Sequence, residues 1–298
     1  MSPRKLVILA AITGGSAADR DGGVVPTQPD EIAEETLRCY EAGASVVHIH
    51  ARDKDKIATG DAAVFEDIIA RMRDKCDALV QITNGIGWIK DKSSGQIRRP
   101  TDDERLALLH LDNMPELYSL AGTSWDFYHP GHPNNNEFSF MNSTELLRKW
   151  VPQVLATGGA LEIEVAQTSA FPRLRRLADE GVFDGNTKRL WFDYCLGFGG
   201  MGTSIKELLF TREEQLRYFP DARWQVVGTH FDQFKIATVG LLMDCDIVRV
   251  GFEDNMQLPD GRVARNNAEL VEAVAAIART YGREPATVEE ARQIFGLA

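Results

Sequence analysis

The sequence predicts a single α/β domain, a (β/α)8 TIM barrel spanning residues 1–298. Three observations predict it. Short apolar runs of strand length alternate with amphipathic stretches of helical length. Eight such pairs follow one another, and no linker or low-complexity segment divides them. The length of 298 residues, with 44% in the hydrophobic set and 26% charged, suits one globular domain with a sizeable core. An open doubly wound sheet is the alternative architecture. The number of units for this length favours closure.

Taken in order, the strands fall at residues 6–12, 45–50, 78–83, 117–120, 160–165, 189–196, 224–227 and 246–250. All are short and apolar, as parallel strands covered on both faces should be. The first run is followed by small residues, as in a signal peptide, but a buried first strand explains the same run and is the favoured reading. It is far below the ~20 residues that span a bilayer. Helical patterns follow at 30–42, 64–75, 102–111, 144–157, 169–179, 204–218, 234–243 and 268–281, and a short last one at 288–295 begins after a Pro and a Thr. Two βα connections exceed what a barrel needs, 85–101 and 124–143. Long loops at the C-terminal ends of strands shape active-site mouths.

The formal net charge of −11 argues against nucleic acid or an anionic membrane as partner, while leaving room for a local basic pocket. Cys39, Cys76, Cys195 and Cys245 form no CxxC pair, so no disulfide framework or cysteine metal site is expected. A reduced, cytoplasmic setting fits them.

His48-Ile49-His50 ends the second strand. Residues two apart share a strand face, so both imidazoles can meet one metal. A hydrogen-bonded pair of core histidines is the bland alternative. Arg249-Val250-Gly251-Phe252-Glu253-Asp254-Asn255 ends the eighth strand, which neighbours the first in a closed barrel, as the second does. Glu253 can then reach the same ion. Two histidines and one carboxylate leave an open position, the arrangement of catalytic zinc. A structural ion pair is the bland alternative for Arg249 and Asp254. Glu162 and Glu164 share one face of the fifth strand, and an unpartnered core carboxylate is costly, which favours the interior. Thr83 and Ser119 end the third and fourth strands and can hydrogen-bond a carboxylate. Successive N–H groups of the glycine-rich loop 197–204 can cradle an anion. His129 and His132 lie in a long polar loop, and His230 follows the seventh strand.

Several segments together resemble the β-keto acid cleavage enzymes: AAITGG at 10–15, EAGASVVHIHARD at 41–53, VQITNG at 80–85, PELYSLAGTSWDF at 115–127, LEIEV at 161–165, VRVGFEDN at 248–255, NNAELV at 266–271 and GREPATVEEARQIFGL at 282–297. The resemblance covers nearly the whole chain, and the pairing of HIHARD with VRVGFEDN is its specific part. It implies zinc held by His48, His50 and Glu253, an Arg249–Asp254 dyad, and substrate-binding hydroxyls at Thr83 and Ser119. It also implies a catalytic glutamate at Glu164, acetyl-CoA as co-substrate and a homotetramer. The implied reaction joins a β-keto acid to acetyl-CoA and releases acetoacetate and a new acyl-CoA. Asp254 is the first choice of base and Glu164 the second. Two departures stand out. Ser16 occupies the place of a glutamate that meets the substrate's amino group in the family's type enzyme, and Thr83-Asn84-Gly85-Ile86 replaces its STGG.

Competing readings are a metal-dependent hydrolase or aldolase barrel that does not use CoA, and a non-catalytic binding barrel. The hydrolases put H-x-H on the first strand and further histidines on the fifth and sixth, where this chain has none. The acid's side chain and the CoA contacts are not readable. Trp125, Asp126, Phe127 and Asp232 are candidates to surround the acid, and Arg20, Arg98, Arg99 and Lys235 are candidates for the CoA.

Overall fold

The computed structural model describes residues 4–16, 18–19, 22–91, 93–128, 137–183, 187–197, 201–229 and 233–297. Eight parallel strands form a closed barrel, in the order of the chain. They are β1 (Val7–Ala11), β2 (Val46–Ile49), β3 (Leu79–Thr83), β4 (Leu117–Ala121), β5 (Ala160–Val165), β6 (Leu190–Leu196), β7 (Arg223–Gly228) and β8 (Ile247–Val250). Closure is carried by β1, which pairs with β8 on one side and β2 on the other. The expected (β/α)8 barrel is thus the observed one.

The surrounding helices are α1 (Pro29–Ala42), α2 (Ala62–Lys75), α3 (Asp102–Ala107), α4 (Thr144–Ala156), α5 (Ala170–Asp179), α6 (Ile205–Tyr218), α7 (Gln233–Leu242), α8 (Asn267–Thr280) and α9 (Val288–Phe295). Their starts follow local chemistry. Thr101, Ser204 and Thr287 each cap a helix, and the glutamate three residues on bonds back to the cap. The third helix is shorter than the pattern predicts. It tightens into a 3₁₀ turn at Leu108–His110, which drops Leu108 and Leu109 into the core.

Both long connections lie at the barrel's mouth, and each contains a short antiparallel hairpin. One pairs Ile89–Lys90 with Ile97–Arg98, and the other pairs Trp125–Tyr128 with Glu137–Phe140. In the first, the Asp91 carboxylate accepts from the backbone N–H groups of Ser93 and Ser94 and so folds the turn.

Strand alternation divides the core in two. Ile8, Val47, Ile82, Leu120, Ile163 and Phe192 face the helices, while Leu9, Val46, Leu79, Leu117, Trp191 and Ile247 fill the lower barrel. Helix α9 closes the bottom. Phe295 is buried there, with its ring centroid 4.7 Å from that of Trp191.

This plug gives a stability prediction. Phe295→Ala removes a buried aromatic that the strands above cannot replace, and should cost about 3–5 kcal/mol in urea unfolding. A loss well under 1 kcal/mol would show that α9 is an accessory.

Candidate active site

The polar side chains gather in the upper barrel, where the strands end. On β2, alternation turns His48 and His50 inward. On β8 it turns Arg249 inward, and the chain then doubles over the end of β1. Gly251 makes that passage, with φ of 150°, and a Cβ there would sit 2.1 Å from the Ala11 carbonyl oxygen. The Glu253 N–H then donates to Ala11 O at 3.1 Å. Gly14 clears the space opposite, since a Cβ on it would lie 2.9 Å from Glu253 Cγ.

These two close approaches set Glu253 over the imidazoles. His48 Nε2 lies 3.5 Å from Glu253 Oε2, and His50 Nε2 lies 3.5 Å from Glu253 Oε1. The ligand atoms of all three fall within 4.8 Å of one another. His50 Nδ1 faces the Ile86 carbonyl oxygen at 3.3 Å, an acceptor, so that nitrogen carries the hydrogen and Nε2 is left with its lone pair. Among the described residues, His48 Nε2 and Glu253 Oε2 are buried and have no hydrogen-bond partner. A shared cation would satisfy both. Two imidazoles and one carboxylate are also a donor set of catalytic zinc, so these residues fit that metal.

The electrostatics agree with this arrangement. Burial takes the His48 imidazole down to about 3, which keeps it neutral and able to donate its lone pair. Burial opposes the charge of Glu253, but the Arg249 guanidinium leads the contacts that outweigh it and hold the carboxyl well below its usual range. Arg249 binds both acidic neighbours. Its Nη2 donates to Glu253 Oε1 at 2.6 Å and to Asp254 Oδ1 at 2.9 Å, while Nε donates to Asp254 Oδ2 at 2.8 Å. Burial, together with the Glu253 charge, pushes Asp254 up to about 6 despite this pairing. Burial and then Glu162 push the half-buried Glu164 up to about 8.

The other expected residues divide. Thr83 and Ser119 are adjacent in the β3–β4 register and both buried. Thr83 Oγ1 accepts from Gly85 N at 2.7 Å, which leaves its own hydrogen to donate. Ser119 Oγ has no hydrogen-bond partner among the described residues. Ser16 is exposed. Trp125 is buried at the mouth against Phe140, while Asp126 is exposed. Arg98 is committed to Asp91 and Glu104, at 2.8 and 2.7 Å. The Arg99 guanidinium lies over the rings of Trp88 and Phe140, and Lys235 is exposed on α7. Arg20, His129, His132, His230, Asp232 and the backbone of Phe198, Gly199 and Gly200 lie outside the described residues. The side chain of Phe127 does as well.

The anion cradle expected after the sixth strand is already occupied at its described end. Gly202 N and Ser204 N donate to the Glu207 carboxylate at 2.8 and 3.1 Å. Three interior polar residues were not anticipated: Gln81, Asp193 and Gln225, each fully buried. A polar residue at even spacing inside an apolar strand was the available signal. Burial raises the Asp193 carboxyl well above its usual range, with Glu162 adding to it.

A histidine pair and a carboxylate that could hold a metal ion, beside an arginine–aspartate pair at the C-terminal mouth, define the class: a barrel with a polar, enzyme-like site at its strand ends. Comparison with known proteins is more specific. The family model described as beta-keto acid cleavage enzyme matches residues 5–297, and the chain belongs to that family. It is 33% identical to the 3-keto-5-aminohexanoate cleavage enzyme of Fusobacterium nucleatum, over 98% of both chains. It is 30% identical to the 3-oxoadipate:acetyl-CoA acetyltransferase of Cupriavidus necator, over 98% of this chain and 94% of that one. The solved structure of ObcA bound to oxaloacetate superposes with a TM-score of 0.74 at 20% identity, covering 92% of this chain and 67% of that one, and shares the fold.

The glycine passage can be tested. Gly251→Ala forces β8 away from Ala11 and should sharply reduce metal uptake. Gly261→Ala, also at positive φ but with nothing within 4 Å of the added carbon, should not. Equal uptake by the two variants, measured by atomic emission after dialysis, would contradict the dependence on this crossing.

Proposed function

We propose that the protein is a zinc-dependent β-keto acid cleavage enzyme. It would condense a β-keto acid with acetyl-CoA and yield acetoacetate and the acyl-CoA of the remaining fragment. The observation that carries this reading is the convergence of His48, His50 and Glu253 beside the Arg249–Asp254 pair. The relatives support the co-substrate, since those from Cupriavidus necator, Paraburkholderia graminis and Rhizobium meliloti are named for acetyl-CoA-dependent transfers.

His48, His50 and Glu253 would hold the zinc, which would act as a Lewis acid on the substrate's ketone and make its carbon electrophilic. Thr83 and Ser119 donate hydroxyl hydrogens to the substrate carboxylate and orient the acid. Asp254 accepts a proton from the α-carbon of the β-keto acid, which lies between its carboxylate and its ketone. Arg249 aims that carboxylate through two parallel N–H bonds. The enolate so formed attacks the thioester carbonyl of acetyl-CoA and makes the new carbon–carbon bond. CoA then passes within the adduct from the former thioester carbon to the ketone carbon of the acid. Cleavage of the original bond between the α-carbon and that ketone carbon releases the fragment as its acyl-CoA, and the α-carbon takes back a proton to give acetoacetate. At pH 7 Asp254, at about 6, is mostly ionised and can take a proton, whereas Glu164, at about 8, is mostly protonated and cannot. That orders them as base, with Asp254 first.

Ser16 stands where the resemblance puts the type enzyme's amino-binding glutamate and carries no charge, which speaks against an acid bearing that amino group. The same reading includes a cytoplasmic homotetramer. Its support is the family resemblance and cysteines that are all free. No helix among the described residues is long and apolar enough to cross a membrane.

The zinc-loaded protein should release acetoacetate from a panel of β-keto acids only when acetyl-CoA is present. His48→Ala should lose both zinc and turnover. Turnover without acetyl-CoA would point instead to an aldolase or hydrolase. Asp254→Asn should lower kcat at least about 100-fold, the scale of a general base. A larger loss in Glu164→Gln would reverse the order of the two.

Glu164 also gives a stability prediction. Its folded-state value lies above its ordinary one, so folding disfavours its ionisation. The cost is absent below about pH 4 and grows as pH rises toward 8. Glu164→Gln should therefore raise Tm relative to the unaltered protein at pH 8 and not at pH 4.5. A gain independent of pH would disprove this electrostatic account.

A further inference from the structure

Beneath the candidate metal ligands, five buried side chains form one hydrogen-bonded line across the barrel. Trp191 Nε1 donates to Gln225 Oε1 at 3.1 Å, and Gln225 Nε2 donates to Glu162 Oε2 at 3.0 Å. Gln81 Nε2 donates to the same Glu162 oxygen at 3.1 Å, and Gln81 Oε1 lies 2.8 Å from His48 Nδ1. All five residues are at most 1% exposed. The line crosses from β6 and β7 through β5 and β3 to β2.

Each link has a direction. An indole N–H only donates, so Gln225 must turn its carbonyl oxygen to Trp191 and its amide nitrogen to Glu162. Glu162 Oε2 is then an acceptor whether or not the other carboxyl oxygen carries a proton. A reversed Gln81 would set oxygen against oxygen. Gln81 therefore presents its nitrogen to Glu162 and its oxygen to His48. An amide oxygen accepts only, so His48 Nδ1 carries the hydrogen. Its lone pair is left on Nε2, the buried atom facing Glu253. His50 reaches the same state through a backbone carbonyl, whose direction is fixed by the main chain. The carbonyl that serves His48 belongs to a side-chain amide that can rotate by half a turn, and the line below prevents it.

We propose that Gln81 is a positioning residue that holds His48 in its Nδ1–H tautomer, with Glu162 setting the orientation of Gln81. The consequence for metal affinity rests on the zinc reading given above. The tautomer itself does not.

The experiment uses the full-length protein labelled with ¹⁵N-histidine. Long-range ¹H–¹⁵N correlation of the metal-free protein reads the tautomer, and competition with a chelating dye reads zinc affinity. The unaltered protein should show His48 as Nδ1–H. Gln81→Met should give a mixed or Nε2–H imidazole and zinc binding weakened about 10- to 100-fold, the scale for residues that orient a ligand. Glu162→Met should shift both readouts the same way without touching His48. Glu162→Gln, which keeps an accepting oxygen, should restore both. An Nε2–H tautomer in the unaltered protein overturns the proposal, and that measurement needs no variant to fold. Unchanged zinc affinity and tautomer in folded Gln81→Met overturn it as well. An Nδ1–H tautomer in a protein that takes up no zinc would sink the zinc reading and support the role of Gln81.

Discussion

The Arg249 guanidinium is the contact on which the upper barrel depends. Glu162, Glu164, Asp193, Glu253 and Asp254 all bring carboxyl groups into one low-dielectric space, and each feels this single residue. Its fork reaches two of them directly. Burying a guanidinium is unfavourable in itself, yet Asp254 and Glu253 more than offset that and keep it charged. Arg249 does not hold all five ionised. Those that it touches stay charged or nearly so, and those that it does not touch are driven toward the neutral form. The Arg249 charge thereby helps to sort groups of the same chemistry into different protonation states.

This sorting sits on a barrel floor packed with apolar side chains. Leu9, Val46, Leu79, Leu117 and Ile247 supply packing there and no chemistry. One strand therefore serves two purposes along its length. β2 enters with Val46 and leaves with His48 and His50, and β5 enters with Ala160 and leaves with Glu162 and Glu164. The polar tiers cost stability that the tiers beneath must supply.

How much of this was readable beforehand varies with the distance over which each feature is determined. His48 and His50 were legible because a two-residue period is local. Their meeting with Glu253 was legible only once closure was assumed, since strand pairing through β1 brings β8 and β2 together. Gln81 and Gln225 were not read, because a glutamine in an apolar strand looks the same in sequence whether it faces core or cavity. The hairpins of the two mouth loops were missed because their turn chemistry, such as Asp91 before Ser93 and Ser94, was passed over in favour of loop length. The occupied helix start after β6 was visible in Ser204 and Glu207, spaced as a capping pair, and that signal was stronger than the glycines preceding it.

Helix α9 also bears on traffic through the molecule. With Phe295 wedged against Trp191 and apolar side chains stacked above it, the described residues leave no passage through the barrel's floor. Among the described residues, the way to the histidines lies at the mouth, where the two hairpins stand. Two reactants of unequal size would then share that entrance.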